Sequence, residues 1–186
     1  GAEIFAEPTR SKICKGKQSA EDWLEVHRIA HGMGLRSTCT MLYGHIESDE
    51  DRVDHILQLR KLQDETSGFT TFIPLAFHPA NTQMDDVPGP GGILDIRNYA
   101  VSRLLLDNIA HIKAYWIMVG VPIAQISLRF GVDDLDGTVG FRGNRNKVME
   151  ICRSHWFASR ISDPILLQCD CWLDAELFYF NSTRFV

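Results

Sequence analysis

The stretch Phe72-Ile-Pro-Leu-Ala-Phe-His-Pro79 indicates the fold, together with Thr40-Met-Leu-Tyr-Gly-His45 and Asp133-Asp-Leu-Asp-Gly-Thr138. Each of the three is a short apolar stretch that ends in polar, aromatic or acidic residues, and helix-like patterns separate them. Strands of a parallel α/β sheet have this pattern when their C-terminal ends line a site. The three stretches therefore predict a parallel sheet whose strand ends carry the functional groups.

Helical patterns lie between these strands. Ser19 followed by Asp22, and Ser48 followed by Asp51, are capping pairs that start two helices. Helices are predicted over residues 19–34, 48–68, 95–108 and 122–130, and strands over residues 35–43, 69–77, 111–118 and from 132 onward. Residues 2–5 would be the tail of one more strand, and Pro74 predicts a bulge or bend in its strand.

The order of these elements predicts parallel strands joined by right-handed crossovers. Such a chain forms either an open doubly wound sheet or part of a (β/α)8 barrel. The roughly four strand–helix units are about half of a barrel that normally needs ~250 residues. We therefore expect an α/β fold that is half of a TIM-type barrel with parallel strands.

The composition is that of a globular protein with one core. The chain has 186 residues, 45% of them hydrophobic, and a formal net charge of −5. No apolar run is long enough to span a membrane, and no cluster of Lys and Arg supplies the positive charge that nucleic acid requires. We expect a soluble protein with no membrane or nucleic-acid partner. Residues 1–5 show no leader sequence, so the cytoplasm is the default location.

The cysteines and histidines do not form a metal or disulfide pattern. Five cysteines are spaced irregularly, which predicts reduced thiols and not a disulfide framework. They are Cys14, Cys39, Cys152, Cys169 and Cys171. The histidines of the predicted helices, His27, His31 and His55, lack a fourth ligand, so we expect no zinc site and no metal ligands in this chain.

Several longer stretches resemble one enzyme family. They are residues 1–5 (GAEIF), 40–45, 52–69, 72–82, 100–118 and 130–139 (FGVDDLDGTV). At these residues the chain is similar to the aminofutalosine synthases, which are radical S-adenosylmethionine enzymes of the futalosine route to menaquinone. The sister enzymes, dehypoxanthine futalosine cyclase and the second subunit of F0 synthase, share the Tyr-Gly-His strand end and the turn at 63–69 (QDETSGF).

The resemblance implies that residues 1–139 form the C-terminal half of a radical S-adenosylmethionine barrel. It implies two cofactors, S-adenosylmethionine and a [4Fe-4S] cluster that cleaves it reductively. The adenosyl radical would add to the enol-ether double bond of 3-[(1-carboxyvinyl)oxy]benzoate, the small-molecule substrate. Loss of the carboxyl group would then give aminofutalosine, so the enzyme would be a transferase of menaquinone biosynthesis.

The chain departs from this family in two respects. The family holds its cluster with a C-x3-C-x2-C loop, and the five cysteines here contain no such spacing. We therefore expect that the chain alone does not assemble the cluster and is inactive. Residues 140–186 show no resemblance to the family and are expected to be a separate tail, either frameshifted, misjoined or divergent.

Eight residues are candidates for a substrate or S-adenosylmethionine pocket, and none is assigned as catalytic. They are Glu3, Tyr43, His45, His78, Trp116, Asp133, Asp134 and Asp136. Tyr43, His45 and His78 follow strand ends, where barrel enzymes display functional groups. The resemblance implies ribose or substrate contacts for the three aspartates and contact with S-adenosylmethionine for Glu3. Trp116 is a candidate because its ring could stack on an aromatic or adenine ring.

Each candidate also has a structural interpretation. The turn at residues 43–45 would pack under the next loop, the acidic residues would be solvated or cap a helix, and Trp116 would be part of the core. The function has alternatives as well. The chain would then belong to one of the sister enzymes, be a non-catalytic half-barrel fragment, or be a different small α/β binding domain.

Overall fold

A computed structural model describes residues 1–136, in which six helices and four strands follow one another. In chain order the elements are α1 (Glu7–Ile13), α2 (Ala20–Gly32), β1 (Ser37–Tyr43), α3 (Asp49–Thr66), β2 (Phe69–Ala76), α4 (Gly92–Leu105), β3 (His111–Tyr115), α5 (Trp116–Val119), α6 (Val121–Ser127) and β4 (Asp134–Asp136).

The four strands form one parallel sheet in the order β1-β2-β3-β4. β2, β3 and β4 therefore each pair with the strand that precedes them in the chain. The longest ladder joins β1 to β2, from Ser37 opposite Phe69 to Tyr43 opposite Ala76. The predicted α/β fold with parallel strands is confirmed, and the sheet of the described residues is consistent with half of a TIM-type barrel.

The sheet has a covered face and an open face, because successive side chains of a strand point to opposite sides. On the covered face, Cys39, Met41 and Tyr43 of β1 are 0% exposed and belong to the same core cluster as Ile56 and Leu59 of α3. The alternate positions form the open face and are only partly buried. They include Thr40, Leu42, Ile73, Leu75, Lys113 and Tyr115.

The helix starts follow the predicted capping pairs. The Ser48 hydroxyl accepts a hydrogen bond from the Asp51 N–H at 3.1 Å, and the Asp51 carboxylate accepts the Ser48 N–H at 3.2 Å. At α2 the Ser19 hydroxyl accepts the Asp22 N–H at 3.0 Å. Each cap satisfies backbone donors that the first helical turn leaves without partners, so both predicted helix starts are confirmed.

The predicted strand over residues 111–118 is wrong at its C-terminal end. β3 stops at Tyr115, and Trp116 begins the short helix α5. The Gly120 N–H closes this helical turn on the Trp116 carbonyl oxygen at 2.9 Å. The apolar run that starts at Trp116 suits a buried helix as well as a strand, so periodicity does not separate the two.

Pro74 does not produce the bulge that the sequence predicted. It pairs in register with Met41 of β1, and the register shift of this ladder lies between Ser37 and Thr38. On its other side β2 pairs with β3 only through Thr71 and Phe72. Pro74 therefore lies beyond the part of β2 that pairs with β3, so its lack of an N–H removes no strand hydrogen bond.

The N-terminal residues differ from the prediction. Residues 2–5 are not a strand, although the Glu3 carbonyl oxygen accepts the Leu42 N–H at 2.8 Å along the outer edge of β1. They lead into α1, which no local sequence pattern predicted. Pro8 stands in the first turn of α1, where its missing N–H has no helical partner to lose.

Among the described residues, no helix is both long and apolar enough to cross a membrane. The domain boundary predicted at residue 139 and the tail over 140–186 lie outside the described residues and stay predictions.

Candidate functional site

The C-terminal end of β1 holds two of the predicted site residues, and it is fixed by buried polar contacts. Tyr43 points to the covered face, where its hydroxyl donates to Asp95 Oδ1 at 2.7 Å. Burial raises the pKa of both the Tyr43 phenol and the Asp95 carboxyl. Because Asp95 lies in the first turn of α4, this hydrogen bond ties the start of α4 to the end of β1.

His45 lies two residues further on, and its side chain is 0% exposed. Its Nε2 is 3.1 Å from the Leu42 carbonyl oxygen, and its Nδ1 is 3.0 Å from Glu47 Oε2. Burial lowers the pKa of His45, and the Glu47 carboxylate opposes that shift. The ring is therefore enclosed within the turn, and His45 contributes to the site by holding the backbone of that turn.

Glu47 organises the turn, although no sequence pattern marked it as a site residue. Its side chain is 1% exposed, and its two carboxylate oxygens accept the Gly44 N–H at 2.7 Å and the His45 N–H at 2.8 Å. The Arg52 guanidinium donates to Glu47 at 2.6 Å and also pairs with Asp49. A buried carboxylate is stable only with such partners, so Glu47 and Arg52 depend on each other.

The variant Glu47→Gln should lower the free energy of unfolding by about 2–4 kcal/mol. The NH2 group of the glutamine would face the N–H groups that now donate to the carboxylate, so a hydrogen bond would be lost. Urea unfolding of the variant and the parent chain measures the difference. Asp49→Asn is the matched control, since Asp49 pairs with the same Arg52 but is 66% exposed. It should cost less than about 1 kcal/mol. Equal losses of unfolding free energy for the two variants would show that the buried Glu47 contacts stabilise the protein no more than the exposed Asp49 contact does.

The long loop after β2 packs on this same strand end. A Cβ atom at Gly44 would lie 2.5 Å from Pro90 Cδ, and Gly44 has a φ of 84°, so only glycine suits this position. Gly89 lies close to the Phe77 carbonyl oxygen, which would be 3.1 Å from a Cβ atom at this position. The loop over residues 78–91 is therefore folded against the C-terminal ends of β1 and β2.

His78 and Trp116 lie at the ends of β2 and β3. His78 is exposed, and its Nε2 lies 3.1 Å from the Met118 carbonyl oxygen in α5. Trp116 is 6% exposed, and its indole N–H has no hydrogen-bond partner among the described residues. A buried donor without an acceptor costs about 1–3 kcal/mol, so an acceptor at Trp116 would be stabilising.

Asp133 lies at the opposite end of the sheet. Its Oδ1 accepts the Ile112 N–H at 2.8 Å, and its Oδ2 is 3.1 Å from His111 Nδ1. Arg103 of α4 completes the contact at 3.2 Å from Oδ1. These groups surround the start of β3, so Asp133 clamps the N-terminal edge of the sheet, which in barrel enzymes is the face that supports stability.

Asp134 and Asp136 point to the open face with Lys113. The Lys113 ammonium lies 3.2 Å from Asp134 and 3.4 Å from Asp136. The two carboxylates are two residues apart on β4 and hence on one face of it, opposite Lys113 and Tyr115 of β3. This cluster places one ammonium and two carboxylates on the surface that faces the inside of a barrel.

Glu3 lies beside the end of β1 with a φ of 45°, in a left-handed conformation that is uncommon for a residue other than glycine. Its Oε1 accepts the Lys17 ammonium at 2.6 Å, whereas its Oε2 is buried with no hydrogen-bond partner among the described residues. Arg10, which is 3% exposed, holds this segment by donating to the Ala2 and Ile4 carbonyl oxygens at 2.6 and 2.9 Å.

The structure therefore groups the predicted residues into four places. The turn at residues 43–45, His78 and Trp116 lie at the C-terminal edge, and Glu3 lies beside the end of β1. Asp134 and Asp136 share the open face, and Asp133 is at the far end. Glu47, Asp95 and Arg10 were missed, because their partners are backbone groups or residues distant in sequence, which leave no local pattern.

The described residues do not fit a [4Fe-4S] cluster. Cys14 and Cys39 are both buried, and burial raises the pKa of both thiols, which disfavours the thiolate that iron requires. No group of three or more His, Cys, Asp or Glu side chains in residues 1–136 could hold a metal ion. The unpartnered Glu3 oxygen and the carboxylates of Asp134 and Asp136 are hydrogen-bonding groups that do fit the hydroxyl and amino groups of S-adenosylmethionine.

A parallel α/β sheet with polar groups at the C-terminal ends of its strands is the arrangement expected for half of a TIM-type barrel. The chain belongs to the family described as the CofH/MqnC C-terminal region, whose profile matches residues 66–160. This assignment confirms the resemblance found in the sequence, in which residues 1–139 are similar to the C-terminal part of aminofutalosine synthase.

Three curated proteins illustrate which enzymes this chain is similar to. Aminodeoxyfutalosine synthases from Thermus thermophilus and Streptomyces coelicolor are 54% and 46% identical, each over 75% of this chain and 38% of their own length. A 5-amino-6-(D-ribitylamino)uracil–L-tyrosine 4-hydroxyphenyl transferase from Methanoculleus marisnigri is 45% identical over 74% of this chain and 39% of its own. The chain thus spans less than half the length of these relatives.

Proposed function

We propose that this chain supplies the C-terminal half of the barrel of a radical S-adenosylmethionine enzyme of the aminofutalosine synthase type. The observation that carries the proposal is the 54% identity with the Thermus synthase over 75% of the chain. The proposed reaction joins the adenosyl group to 3-[(1-carboxyvinyl)oxy]benzoate with loss of its carboxyl group. The substrate, the product aminofutalosine and the role in menaquinone biosynthesis are parts of this proposal, and so is a cytoplasmic location.

In this proposal the rest of the enzyme holds the cluster, because Cys14 and Cys39 do not fit it. The cluster and S-adenosylmethionine supply the radical chemistry when bound, and this chain supplies positioning. Without that cluster the chain alone is inactive. The contribution of the described residues is then to bind, orient and enclose the organic substrates.

The polar groups on the open face and at the strand ends have different roles in this proposal. Asp134 and Asp136 accept hydrogen bonds from ribose hydroxyls, and Lys113 between them limits the repulsion of the two carboxylates. Glu3 offers its unpartnered oxygen to the amino or ribose part of S-adenosylmethionine. At the end of β3, the Trp116 indole offers a donor to a substrate carboxylate or a face to an aromatic ring.

The turn at the end of β1 has a supporting task. His45 and Tyr43 are fully buried, so they act on a ligand through the backbone that they hold. Glu47 fixes the Gly44 and His45 N–H groups, and Pro90 packs on Gly44. The turn and the loop over residues 78–91 would enclose the substrate and exclude water from the radical.

The second candidate is the reaction named for the Methanoculleus relative, a 4-hydroxyphenyl transfer that involves L-tyrosine and 5-amino-6-(D-ribitylamino)uracil. It is favoured by 45% identity over 74% of the chain. The lower identity than that with the Thermus synthase makes it the second choice. A sister enzyme of the cyclase type is a further alternative, and a half-barrel without activity is the last.

A chimera tests these proposals. The part of the Thermus synthase that precedes the matched region is fused to residues 1–186 of this chain and reconstituted anaerobically with iron and sulfide. We expect it to convert S-adenosylmethionine and 3-[(1-carboxyvinyl)oxy]benzoate into aminofutalosine, detected by mass. The rate should lie within about 100-fold of the Thermus enzyme, since a misplacement of 1 Å costs about that much.

The controls separate the candidates. The same chimera is incubated with L-tyrosine and 5-amino-6-(D-ribitylamino)uracil, and formation of the 4-hydroxyphenyl transfer product in place of aminofutalosine would establish the second candidate. A chimera that cleaves S-adenosylmethionine but forms neither product would contradict both reactions. The Thermus enzyme itself is the positive control for cluster assembly and for the assay.

A further inference from the structure

Two histidines of α2 and two hydroxyl side chains form a continuous hydrogen-bonded chain at the N-terminal edge of the sheet. His27 Nδ1 lies 2.9 Å from the Ser37 hydroxyl oxygen, and His31 Nε2 lies 2.8 Å from the same oxygen. On the other side of its ring, His31 Nδ1 lies 2.8 Å from the Thr66 hydroxyl oxygen. We call these four residues the histidine relay. It joins α2 to the first residue of β1 and to the last residue of α3.

The Thr66 hydroxyl fixes the protons at one end of the relay. It donates to the Leu62 carbonyl oxygen at 2.8 Å, and this direction is the only one possible because a carbonyl oxygen carries no proton. The Thr66 oxygen also accepts the Gly68 N–H at 3.3 Å. Since its only proton goes to Leu62, the Thr66 oxygen must accept a hydrogen from His31 Nδ1. A neutral His31 then has a lone pair on Nε2.

The rest of the proton order follows from the tautomer of His31. The Ser37 hydroxyl donates its only proton to the lone pair of His31 Nε2. The Ser37 oxygen is therefore left to accept a hydrogen from His27 Nδ1. A neutral His27 then has its own lone pair on Nε2, outside the relay. All the hydrogen bonds of the relay point the same way, from His27 to the Leu62 carbonyl oxygen.

Ring contacts hold the two imidazoles in place. The His27 ring centroid lies 3.9 Å from that of Trp23. The His31 ring meets Phe69 edge to face at 4.8 Å, and a Cβ atom at Gly68 would lie 2.0 Å from His31 Cγ. The His31 ring therefore packs directly on the backbone that leads into β2, so neither ring can turn away without disturbing these contacts.

The charges around the relay are largely matched. Glu25 and Arg28 belong to α2, Glu65 belongs to α3, and Arg36 precedes β1. Arg28 pairs with both glutamates. From β2 the neighbour is the ring of Phe69, which does not titrate. Burial lowers the pKa of both relay histidines, and the charge of one ring opposes the protonation of the other.

The relay can take up one added proton without losing a hydrogen bond. The proton binds the free Nε2 of His27, and every donor and acceptor keeps its partner. The charge can also move to His31, when the His27 Nδ1 proton passes to Ser37 and the Ser37 proton passes to His31 Nε2. A second added proton would direct the N–H groups of two imidazolium rings at the one Ser37 oxygen. The Ser37 hydroxyl would then lose its acceptor, and the two cations would repel each other.

We infer that the histidine relay is a pH-sensitive clamp that accepts one proton and opens on the second. When it is closed, the clamp fastens the C-terminal half of α2 to the starts of β1 and β2. When both rings are charged, that link is lost and α2 separates locally from the sheet. The relay lies at the edge of the sheet opposite the candidate site, so the inference is independent of the proposed reaction.

Nitrogen-15 NMR of the histidine rings tests the proton order, because a protonated and an unprotonated ring nitrogen have different chemical shifts. The spectrum is recorded on the full chain at about pH 8, where the rings are neutral. We expect His27 and His31 to carry their protons on Nδ1. His45, His55 and His78 contact carbonyl oxygens through Nε2, so the same spectrum should show the opposite tautomer for these three. A neutral His31 with its proton on Nε2 would overturn the inference.

A titration of the same sample to about pH 4.5 counts the protons that the relay binds. We expect a first charge shared by the two relay rings, and a second charge at least about 1 pH unit lower. Amide hydrogen exchange at the same pH values should show that α2 loses protection relative to α4 only in the second step. Uptake of both protons in one step would overturn the inference. Unchanged protection of α2 after the second step would overturn it as well.

The variant Ser37→Ala removes the bridging hydroxyl and leaves Thr66 in place. His31 should keep its proton on Nδ1, whereas His27 should show both tautomers, and amide exchange in α2 should become about 10-fold faster. The matched control is Thr70→Val, because the Thr70 hydroxyl donates to the Ser37 carbonyl oxygen at 3.2 Å and takes no part in the relay. Its ring tautomers should equal those of the parent chain. A single His27 tautomer in Ser37→Ala would overturn the inference, because Ser37 would then not set the proton order.

Discussion

The variant Gly44→Ala should lose about 2–5 kcal/mol of unfolding free energy. Two costs combine in this value. A side chain at a φ of 84° costs about 1–2 kcal/mol, and overlap with a packed neighbour costs about 1–3 kcal/mol. The neighbour is Pro90, whose ring atoms would lie 2.5–2.6 Å from the new Cβ. Urea unfolding monitored by tryptophan fluorescence would measure the loss as a lower midpoint.

A second glycine separates the two costs. Gly34 has a φ of 81°, and a Cβ atom there would have no neighbour within 4 Å. The control Gly34→Ala should therefore lose only the backbone term, about 1–2 kcal/mol. The excess loss at Gly44 measures how tightly the loop over residues 78–91 packs on the end of β1. If the two variants lose the same amount, that packing contributes nothing to stability.

The second large effect is a loss of stability in acid that originates at His55. This side chain is 0% exposed, its Nε2 lies 3.0 Å from the Thr40 carbonyl oxygen, and its ring stacks on Phe5 at a centroid distance of 3.9 Å. Burial lowers the pKa of His55 to about 3, from 6.5 in the unfolded chain. Between these two values the unfolded state binds a proton that the folded state excludes.

The sign follows from this difference in proton binding. Above pH 6.5 the two states are equally neutral at His55, and each pH unit below it removes up to about 1.4 kcal/mol of stability until pH 3. At pH 4.5 the contribution of His55 to the loss should be about 2.7 kcal/mol. Chemical denaturation at a series of pH values between 8 and 4.5 measures the slope.

The variant His55→Gln should flatten this slope, because glutamine cannot take up the proton. Its stability at pH 8 should itself be lower, since the ring contact with Phe5 is lost. The control Leu57→Gln places the same side chain on the same helix at a position that is 45% exposed, and its slope should match that of the parent chain. A His55→Gln slope equal to the parental slope would mean that other groups cause the acid sensitivity.

Local sequence signals predicted most of the fold. The capping pairs at Ser19 and Ser48 involve residues three positions apart, so their geometry can be read directly from the sequence. The parallel sheet followed from the alternation of strands and helices. α5 was missed because an apolar run of a few residues carries no period, and α1 was missed because it is seven residues long.

The candidate site was harder to predict, because it depends on which side of a strand each residue faces. Tyr43 has the same parity as Cys39 and Met41, which places it on the covered face, but an almost continuous apolar strand does not reveal that parity. The three aspartates near residue 135 pose the same difficulty. If β4 began one residue earlier, Asp133 would belong to the strand. In the structure β4 begins at Asp134, so Asp133 precedes it and Asp134 and Asp136 lie within it.

The spatial order of the strands equals their order along the chain. Of the four described strands β1 leaves the ribosome first, so β2, β3 and β4 each meet an edge that has already formed. Long-range pairing is the slow step for parallel sheets in general. Here each new pairing closes only one crossover, and we expect the sheet to assemble unit by unit during synthesis, with the open edge passing from β1 to β4.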